Sequence, residues 1–173
     1  MNSSEDPFGT CRVRAWHLEM RDTYEGYQDD EGRFEKWRAA GCPDSDPAEV
    51  ESLAEWFDTI KSMIGRGVDV RRLRVVSEPV TDYIRWEHVI TPSNIEAGET
   101  VRWLPRSRVS DLLLPGNDLW VFDNDMVRFH QFSGTGVWLG EELRQEPEVV
   151  KQTLAAFEAL WERATDHGDY QLI

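Results

Sequence analysis

The chain has 173 residues, of which 40% are hydrophobic and eight are tryptophan, a composition that predicts one folded domain over residues 1–173 and excludes a disordered chain. Nineteen basic residues stand against 33 acidic ones, for a net charge of −14, so most of the surface repels nucleic acid and anionic membranes. We therefore expect no direct nucleic-acid binding and no membrane association. A basic protein or a cationic small molecule is the easier partner, although the acidity also fits a role in solubility alone.

Cys11 and Cys42 are too few for a disulfide framework and lack a metal-like spacing. The sequence contains neither an apolar run of membrane-spanning length nor the basic start and apolar stretch of a signal peptide. These features predict a cytoplasmic protein. We also expect residues 1–10 to be flexible.

The front half of the chain alternates between strand and helix patterns. "AWHLEMRDTY" (15–24) predicts a first strand, and "GCPDSDP" (41–47) predicts an internal linker loop. A helix should follow, with Asp46 as its cap and Pro47 in its first turn. Its apolar residues recur at helical spacing: Val50, Leu53, Phe57, Ile60 and Ile64. "VDVRRLRVVSEP" then predicts a strand that ends at Pro79.

The second half begins with a helix in "TDYIRWEHVI", which we expect to stop near Thr91-Pro92 and to be followed by a short helical turn over 92–98. "TVRWLP" predicts a strand, "LWVFD" and "MVRFHQF" a hairpin through Asn124-Asp125, and "GVWLGEEL" one strand more. The last helix carries Pro147 in its first turn and one apolar face, formed by Val150, Leu154, Phe157, Trp161 and Ala164. This order predicts an α/β fold: a mixed β-sheet flanked by helices, with a C-terminal amphipathic helix.

Charged residues gather where the front strands end. In the first strand His17, Glu19 and Arg21 share one side, and Asp22 and Tyr24 follow it. Parallel strands would bring their carboxyl ends to one sheet edge, where ligands of open α/β sheets bind. The predicted binding set is therefore Glu19, Arg21, Asp22 and Tyr24, with Glu78 and Asp82 after the second strand and Arg106 after the third. The alternative is a structural network, for example an Arg21–Glu78 or an Arg106–Asp82 pair.

Catalysis has weaker support. His17 or His130 with a nearby carboxylate could act in acid–base chemistry, but positions 17 and 19 are about 7 Å apart along a strand, which is loose for direct pairing. The histidines share no short ligand spacing, so we predict no metal site, and no motif calls for a cofactor. The arginines of the strand segments are interpreted as solvating strand edges: Arg66, Arg71, Arg72, Arg74, Arg102, Arg106 and Arg108.

Four blocks carry a family resemblance: "HLEMRDTY", "VVSEPVTDYIRWEH", "AGETVRWLPR" and "LPGNDLWVFDNDMVRFHQF". They resemble an uncharacterised actinobacterial family, the domain of unknown function 6879, over most of the chain. The resemblance implies a context near helix–turn–helix regulators and small partner proteins, and transfers no catalytic residue.

At the level of fold, the element order is similar to one half of a phospholipase D-like domain. Active members carry His-x-Lys on a strand, with an aspartate a few residues on. The corresponding stretch here, "DLLLPGNDLWVFD", supplies Asp118 or Asp123 but neither the histidine nor the lysine. The resemblance therefore implies a degenerate, non-catalytic use of the fold.

Three functions remain open. The first is a regulatory or interaction domain that recognises a partner protein or a small effector through the charged strand-end pocket. The second is an enzyme that modifies a small molecule or peptide with His17 or His130, and the third is a structural scaffold. The apolar face of the last helix would also suit a homodimer, although burial in the protein's own core is the expected use.

Overall fold

The computed structural model describes residues 6–24, 32–46 and 51–173. Five helices are seen in this part of the chain: α1 (Pro7–Thr10), α2 (Arg33–Ala39), α3 (Ala54–Gly65), α4 (Asp82–Ala97) and α5 (Pro147–Trp161). The strands are β1 (Arg14–Glu19), β2 (Asp69–Val76), β3 (Thr100–Pro105), β4 (Leu119–Phe122), β5 (Met126–Phe132), β6 (Trp138–Arg144) and β7 (Thr165–Asp166). A short 3₁₀ turn, Arg106–Arg108, follows β3.

All seven strands form one sheet in the order β6-β5-β4-β1-β2-β3-β7. The central strands β1, β2 and β3 are parallel, and the outer pairs are antiparallel. The expected mixed sheet with flanking helices and a C-terminal amphipathic helix is confirmed. Because the three front strands are parallel, their carboxyl ends do meet at one edge.

The two faces of the sheet differ in chemistry. On one face, α5 packs on an apolar layer in which the rings of Trp16 and Phe157 stack 4.9 Å apart. The other face is covered by α3 and α4, and Ile60 and Met63 are buried against Ala15 there. Between these apolar parts the second face carries a row of ionisable side chains, because β1 and β2 place theirs on it at every second residue.

Helix α4 differs from the expectation. It runs without interruption from Asp82 to Ala97, so the predicted stop near Thr91-Pro92 and the separate turn after it are wrong. Proline removes one backbone donor from a helix and crowds the preceding turn. Here tertiary contacts offset that cost, since Tyr83, Ile84 and Ile90 are buried and Arg74 donates to Thr91 Oγ1 at 2.7 Å.

The segment before α3 lies partly outside the described residues, which include neither Pro47 nor Val50. Asp46, predicted as a helix cap, accepts a hydrogen bond from Trp86 Nε1 at 2.9 Å. Ile64 is 38% exposed, whereas its neighbour Met63 is fully buried, so the apolar face of α3 is rotated by one residue at its end.

The start of the chain also differs from the expectation of a flexible stretch over 1–10. The first five residues lie outside the described part, but residues 7–10 form α1. Phe8 of this helix contacts the rings of Trp56, Trp120 and Phe122 edge-on, at centroid distances of 5.0–5.2 Å. These contacts fix α1 against the sheet and α3.

Two arginines overturn the interpretation that the strand arginines solvate edges. Arg72 and Arg74 lie in β2, a central strand, and only 7% and 4% of their surfaces are exposed. Burial of a guanidinium requires charged partners. Those partners are carboxylates brought by β1, α4 and the residue after Gly98.

Candidate functional site

A cavity of about 550 Å³ lies on the sheet face beneath α3 and α4, and we call it the sheet-face cavity. Its floor is formed by side chains of four adjacent strands: His17, Glu19, Arg72, Arg74, Trp120 and His130. Aromatic side chains form much of its wall, among them Phe8, Trp56, Phe132 and Trp138. The site therefore combines apolar surface with a few convergent charged groups, as ligand pockets do.

His17 and His130 meet in this cavity. The His17 ring stacks on Trp120 with centroids 4.2 Å apart, and its centroid lies 5.9 Å from that of His130. Nδ1 of His17 is 3.9 Å from Glu19 Oε1, which is nearer than the backbone spacing suggested but longer than a hydrogen bond. This nitrogen is buried and has no hydrogen-bond partner.

A network of buried charges underlies the two histidines. Arg72 donates to Glu99 through Nε at 2.7 Å and to Glu19 through Nη1 at 3.2 Å. Arg74 donates to Glu19 through Nε at 2.7 Å and also binds Glu87. Each guanidinium thus binds two carboxylates, so no guanidinium of the network is buried without an opposite charge beside it.

The pKa values follow from burial and from these neighbours. Burial opposes the ionisation of Glu19, but the guanidiniums of Arg74 and Arg72 outweigh it and hold its pKa well below the ordinary value. Burial lowers the pKa of His17 strongly, and burial together with the charge of Arg128 lowers that of His130 to about 4. Both imidazoles are therefore neutral at pH 7 and can accept hydrogen bonds.

Tyr24 and Asp118 close one side of the cavity. The Tyr24 hydroxyl donates to Asp118 Oδ2, and Oδ1 of the same carboxylate accepts from the Met20 N–H at 2.9 Å. Burial raises the pKa of Asp118 to about 6, and burial with the adjacent charge of Asp118 raises that of Tyr24. This pair binds the end of β1 to the start of β4.

The strand-end edge holds a second, smaller cavity of about 180 Å³, the strand-end cavity, which is lined by Arg21, Arg106 and the loop 114–118. Arg106 donates to the carbonyl oxygens of Met20 and Val75 and to Ser77 Oγ. Asp22 accepts from the Ser77 N–H and hydroxyl, each at 2.7 Å. Most polar atoms at this edge are thus engaged in joining the strand ends to each other.

The predicted binding set is therefore divided. Glu19 and Tyr24 line the sheet-face cavity, Arg21 and Arg106 line the strand-end cavity, and Asp22 lies between Ser77 and the end of β1. Glu78 and Asp82 lie elsewhere. Glu78 accepts from the Tyr170 hydroxyl at 2.9 Å, and Asp82 is exposed in the first turn of α4. Within the described residues no Arg21–Glu78 or Arg106–Asp82 ion pair is formed.

Four residues of the site were not predicted from the sequence: Arg72, Arg74, Glu87 and Glu99. A usable signal exists for the two arginines, because they alternate with Leu73 and Val75 in β2 just as His17 and Glu19 alternate with Trp16 and Leu18 in β1. The glutamates come from a helix and a loop, and only the folded topology brings them close. Among residues 6–24, 32–46 and 51–173, no group of three or more histidine, cysteine or acidic side chains is arranged to hold a metal ion. No described helix is both long and apolar enough to cross a membrane.

The fold resembles that of a phospholipase D family member. The crystal structure of Nuc from Salmonella typhimurium, a phospholipase D family member, is similar over 92% of this chain and 85% of that chain, with a TM-score of 0.50 and 12% identity. TrmBL2, an archaeal chromatin protein with a novel mode of DNA binding, matches with a TM-score of 0.48 and 11% identity, over 92% of this chain and 48% of its own. At these identities the likeness to Nuc concerns the fold alone, and that to TrmBL2 carries no argument.

The match to a sequence family is more specific than the likeness of fold. The chain belongs to the family described as Domain of unknown function (DUF6879), whose model matches residues 2–172. A comparison with curated protein sequences finds no match.

Proposed function

We propose that this protein is a non-catalytic recognition domain that binds a small effector in the sheet-face cavity. The observation that carries the proposal is the cavity itself, whose 550 Å³ falls within the range of about 300–1,000 Å³ that is usual for small-molecule sites. Its aromatic walls supply apolar contact area, and its buried polar floor supplies orientation. The strand-end cavity is a third of that size, and the atoms of Arg106 there are occupied by backbone carbonyls.

The floor argues against phosphodiester chemistry. None of the four histidines is followed two positions later by lysine, since those positions hold Glu19, Ile90, Phe132 and Asp169. Arg72 and Arg74 each bind two carboxylates, so the positive charge of each is already compensated and is not free to bind a phosphate. We infer that the phospholipase D-like fold is used here for binding.

A regulatory role and a partner protein, such as a helix–turn–helix regulator, are part of the same proposal. A regulatory domain that binds an effector must pass the signal to a partner protein. The strand-end edge with Arg21 and Arg106 is a candidate surface for that partner, because Asp118 and Phe132 line both the strand-end cavity and the sheet-face cavity. The two free cysteines, Cys11 and Cys42, fit a reducing compartment, and we propose a cytoplasmic location.

The test uses a variant that fills the cavity. Thr59 lines the cavity from α3, so Thr59→Trp places an indole in its mouth; Lys61→Trp, on an exposed position of the same helix, is the matched control. A library of small metabolites is screened against the wild-type protein by native mass spectrometry and calorimetry. We expect at least one ligand that Thr59→Trp excludes and Lys61→Trp still binds. A screen in which no ligand depends on position 59 would overturn the proposal.

One observation favours an enzyme as the second candidate. His17 and His130 are both neutral, share one cavity, and have the carboxylate of Glu19 3.9 Å from His17 Nδ1. The same library screened for turnover, with His17→Asn and His130→Asn beside the wild type, separates the two functions. Turnover that either substitution abolishes in a folded protein would favour the enzyme; ligands recovered unchanged favour the binding domain.

A further inference from the structure

The charge balance of the sheet-face cavity favours one class of occupant. Among the described residues that line it, five side chains are carboxylic acids and four are arginines. A sixth acid, Glu99, lies beneath the floor, where its carboxylate binds Arg72 and its side chain has no exposed surface. Six acids against four guanidiniums leave the cavity with an excess of negative charge, in a protein whose net charge is −14.

An anion would bind poorly in this cavity. Arg72 and Arg74 are the two guanidiniums of the floor, and an anionic ligand would have to displace Glu19, Glu87 or Glu99 from them. Arg128 lies in β5, two strands away from β1; its Nε is 3.5 Å from Glu141 Oε2, and its guanidinium carbon is 4.7 Å from the centroid of the Phe8 ring. Arg72 and Arg74 are therefore already matched within the protein, and Arg128 has an acidic neighbour and an aromatic ring beside it.

In the Nε2–H tautomer of the neutral His17 ring, a hydrogen-bond acceptor is left over at the same place. Nδ1 of His17 is buried without a partner, the side chain is 91% buried, and the ring lines the cavity. The nearest carboxylate oxygen, Glu19 Oε1, lies 3.9 Å away. A donor from a third group that reached both atoms would satisfy the nitrogen and would bring positive charge to the carboxylate.

The walls suit the rest of such a ligand. The His17 ring stacks on Trp120, and Phe8, Trp56, Phe132 and Trp138 surround the space above the floor. Aromatic faces attract organic cations, most strongly where water is excluded. The acidic surface of the whole protein would in addition raise the rate at which cations arrive.

We propose that the occupant of the sheet-face cavity is an organic cation, a protonated amine on an apolar body, whose ammonium group donates to His17 Nδ1 and Glu19. This inference rests on the effector-binding function proposed above and names the chemical class of the effector. The apolar body contacts the aromatic wall.

The test compares three probes that share a phenylethyl body and differ in their head group: 2-phenylethylammonium, the neutral 2-phenylethanol and the anionic 3-phenylpropionate. Binding is measured by calorimetry and by ligand-observed NMR at pH 7. We expect the amine to bind about tenfold more tightly than the alcohol, and the propionate more weakly than both. Thr59→Trp should abolish binding of the amine, and Lys61→Trp should not.

A second variant tests whether His17 Nδ1 accepts a hydrogen bond from the amine. His17→Phe keeps an aromatic ring on Trp120 and removes the nitrogen, so we expect it to lower the affinity for the amine about tenfold and that for the alcohol, whose hydroxyl is the weaker donor, by clearly less. A melting temperature close to that of the wild type establishes that this variant is folded.

The outcomes separate the two proposals. If the amine and the alcohol bind equally and Thr59→Trp excludes both, the effector-binding function is supported and the inference that the ligand is a cation is wrong. If no probe binds but the library yields a neutral or anionic ligand whose binding depends on position 59, only the inference that the ligand is a cation is wrong. If neither probes nor library show a ligand excluded by Thr59→Trp, both proposals are wrong.

Discussion

Arg72 shows how this protein keeps a charge in its interior. Its guanidinium lies between Glu99, whose side chain has no exposed surface, and Glu19, and Asn94 Nδ2 donates to Glu99 from the far side at 2.9 Å. Such an arrangement contributes little net stability while it is intact, because desolvation offsets the attraction between the charges. It becomes costly when one partner is removed.

We therefore expect Arg72→Met to destabilise the protein by about 3–5 kcal/mol, since it leaves a buried carboxylate without its main partner. Adding Glu99→Gln should recover a large part of this loss, because the double variant has no unpaired charge at that place. Urea unfolding of the two single variants and the double variant measures both effects. Arg38→Met, which breaks the exposed Arg38–Glu35 pair of α2, is the control and should cost at most about 0.5 kcal/mol. A double variant that loses the sum of both single losses would contradict the account.

Asp22 and Asp82 were both predicted to bind a ligand, and the structure gives them different surroundings. Asp22→Ala removes the acceptor of two hydrogen bonds from Ser77 and should cost about 1–3 kcal/mol. Asp82→Ala removes an exposed carboxylate in the first turn of α4 and should cost less than about 1 kcal/mol. Thermal unfolding of the two variants compares them directly. Equal melting temperatures would mean that the Ser77 contacts add nothing to stability.

At the scale of elements, the end of α4 lies close to the end of α3 because residue 98 is a glycine. Gly98 ends the helix with φ 115°, a conformation that residues with a side chain rarely adopt. A Cβ at this position would also lie 2.7 Å from Ile64 Cγ1. Glu99, which binds Arg72, follows directly after this close approach of the two helix ends.

Gly98→Ala should therefore destabilise the protein by about 1–3 kcal/mol through backbone strain and the clash with Ile64. Gly65→Ala is the matched control, because Gly65 ends α3 with open space around its Cα and without a positive φ, so it should be neutral or slightly stabilising. Chemical unfolding of both variants, and of Gly98→Ala/Ile64→Ala, separates the two causes. If the double variant recovers nothing beyond the sum of the single effects, the clash is not part of the cost.

The elements differ in how far the sequence predicts them. Alternation in β1 correctly predicted that His17 and Glu19 share a face, because the side-chain period of a strand is local information. The same alternation in β2 was not connected to a site, since only the parallel register sets Arg72 beside His17 and Arg74 beside Glu19. The continuation of α4 through Pro92 depends on burial against the sheet, and the propensity of proline alone predicts the opposite. Long-range pairing thus decided both the site and the C-terminal boundary of α4.

The turn of the hairpin between β4 and β5 also depends on a contact that the local sequence does not show. Asn124-Asp125 was expected to form its turn, and Phe122 in fact pairs with Met126, so that the turn has three residues, 123–125. Asp123 adopts φ 50° there, and its carboxylate accepts from the N–H groups of Arg12, Val13 and Arg14. The residue is held by a segment more than a hundred positions away, which no local pattern indicates.

At the scale of the whole molecule, all four histidines respond to pH in the same direction. Burial lowers the pKa of His17 and of His88, and it lowers the pKa values of His130 and His167 to about 4, with the charges of Arg128 and His88 as further causes. An unfolded histidine has a pKa near 6.5, so the unfolded chain binds more protons between about pH 6.5 and 4. Stability from these groups is therefore complete above pH 6.5 and is lost as the pH falls towards 4.

Asp118 opposes this trend, since its pKa of about 6 in the folded protein is above that of the unfolded chain, and its contribution grows as the pH falls below 6. Glu87, whose pKa is also raised by burial, acts in the same sense. The buried His17 and His130 outweigh the two acids, whereas solvent screening weakens the contributions of the partly exposed His88 and His167, and we expect the free energy of unfolding to fall by on the order of 2 kcal/mol between pH 7 and pH 5. Urea unfolding at a series of pH values measures the slope.

Two variants assign that slope to its groups. His130→Gln removes one of the groups that take up a proton on unfolding, so its stability should fall less steeply between pH 7 and pH 5. Asp118→Asn removes the main opposing group and should make the fall steeper, because the histidines then act with less compensation. Opposite changes in slope are expected even if both variants are less stable than the wild type at every pH, since the slope counts protons and not contacts. Parallel pH profiles for all three proteins would mean that neither side chain changes its proton affinity on folding, and the charge assignment of the sheet-face cavity would have to be revised.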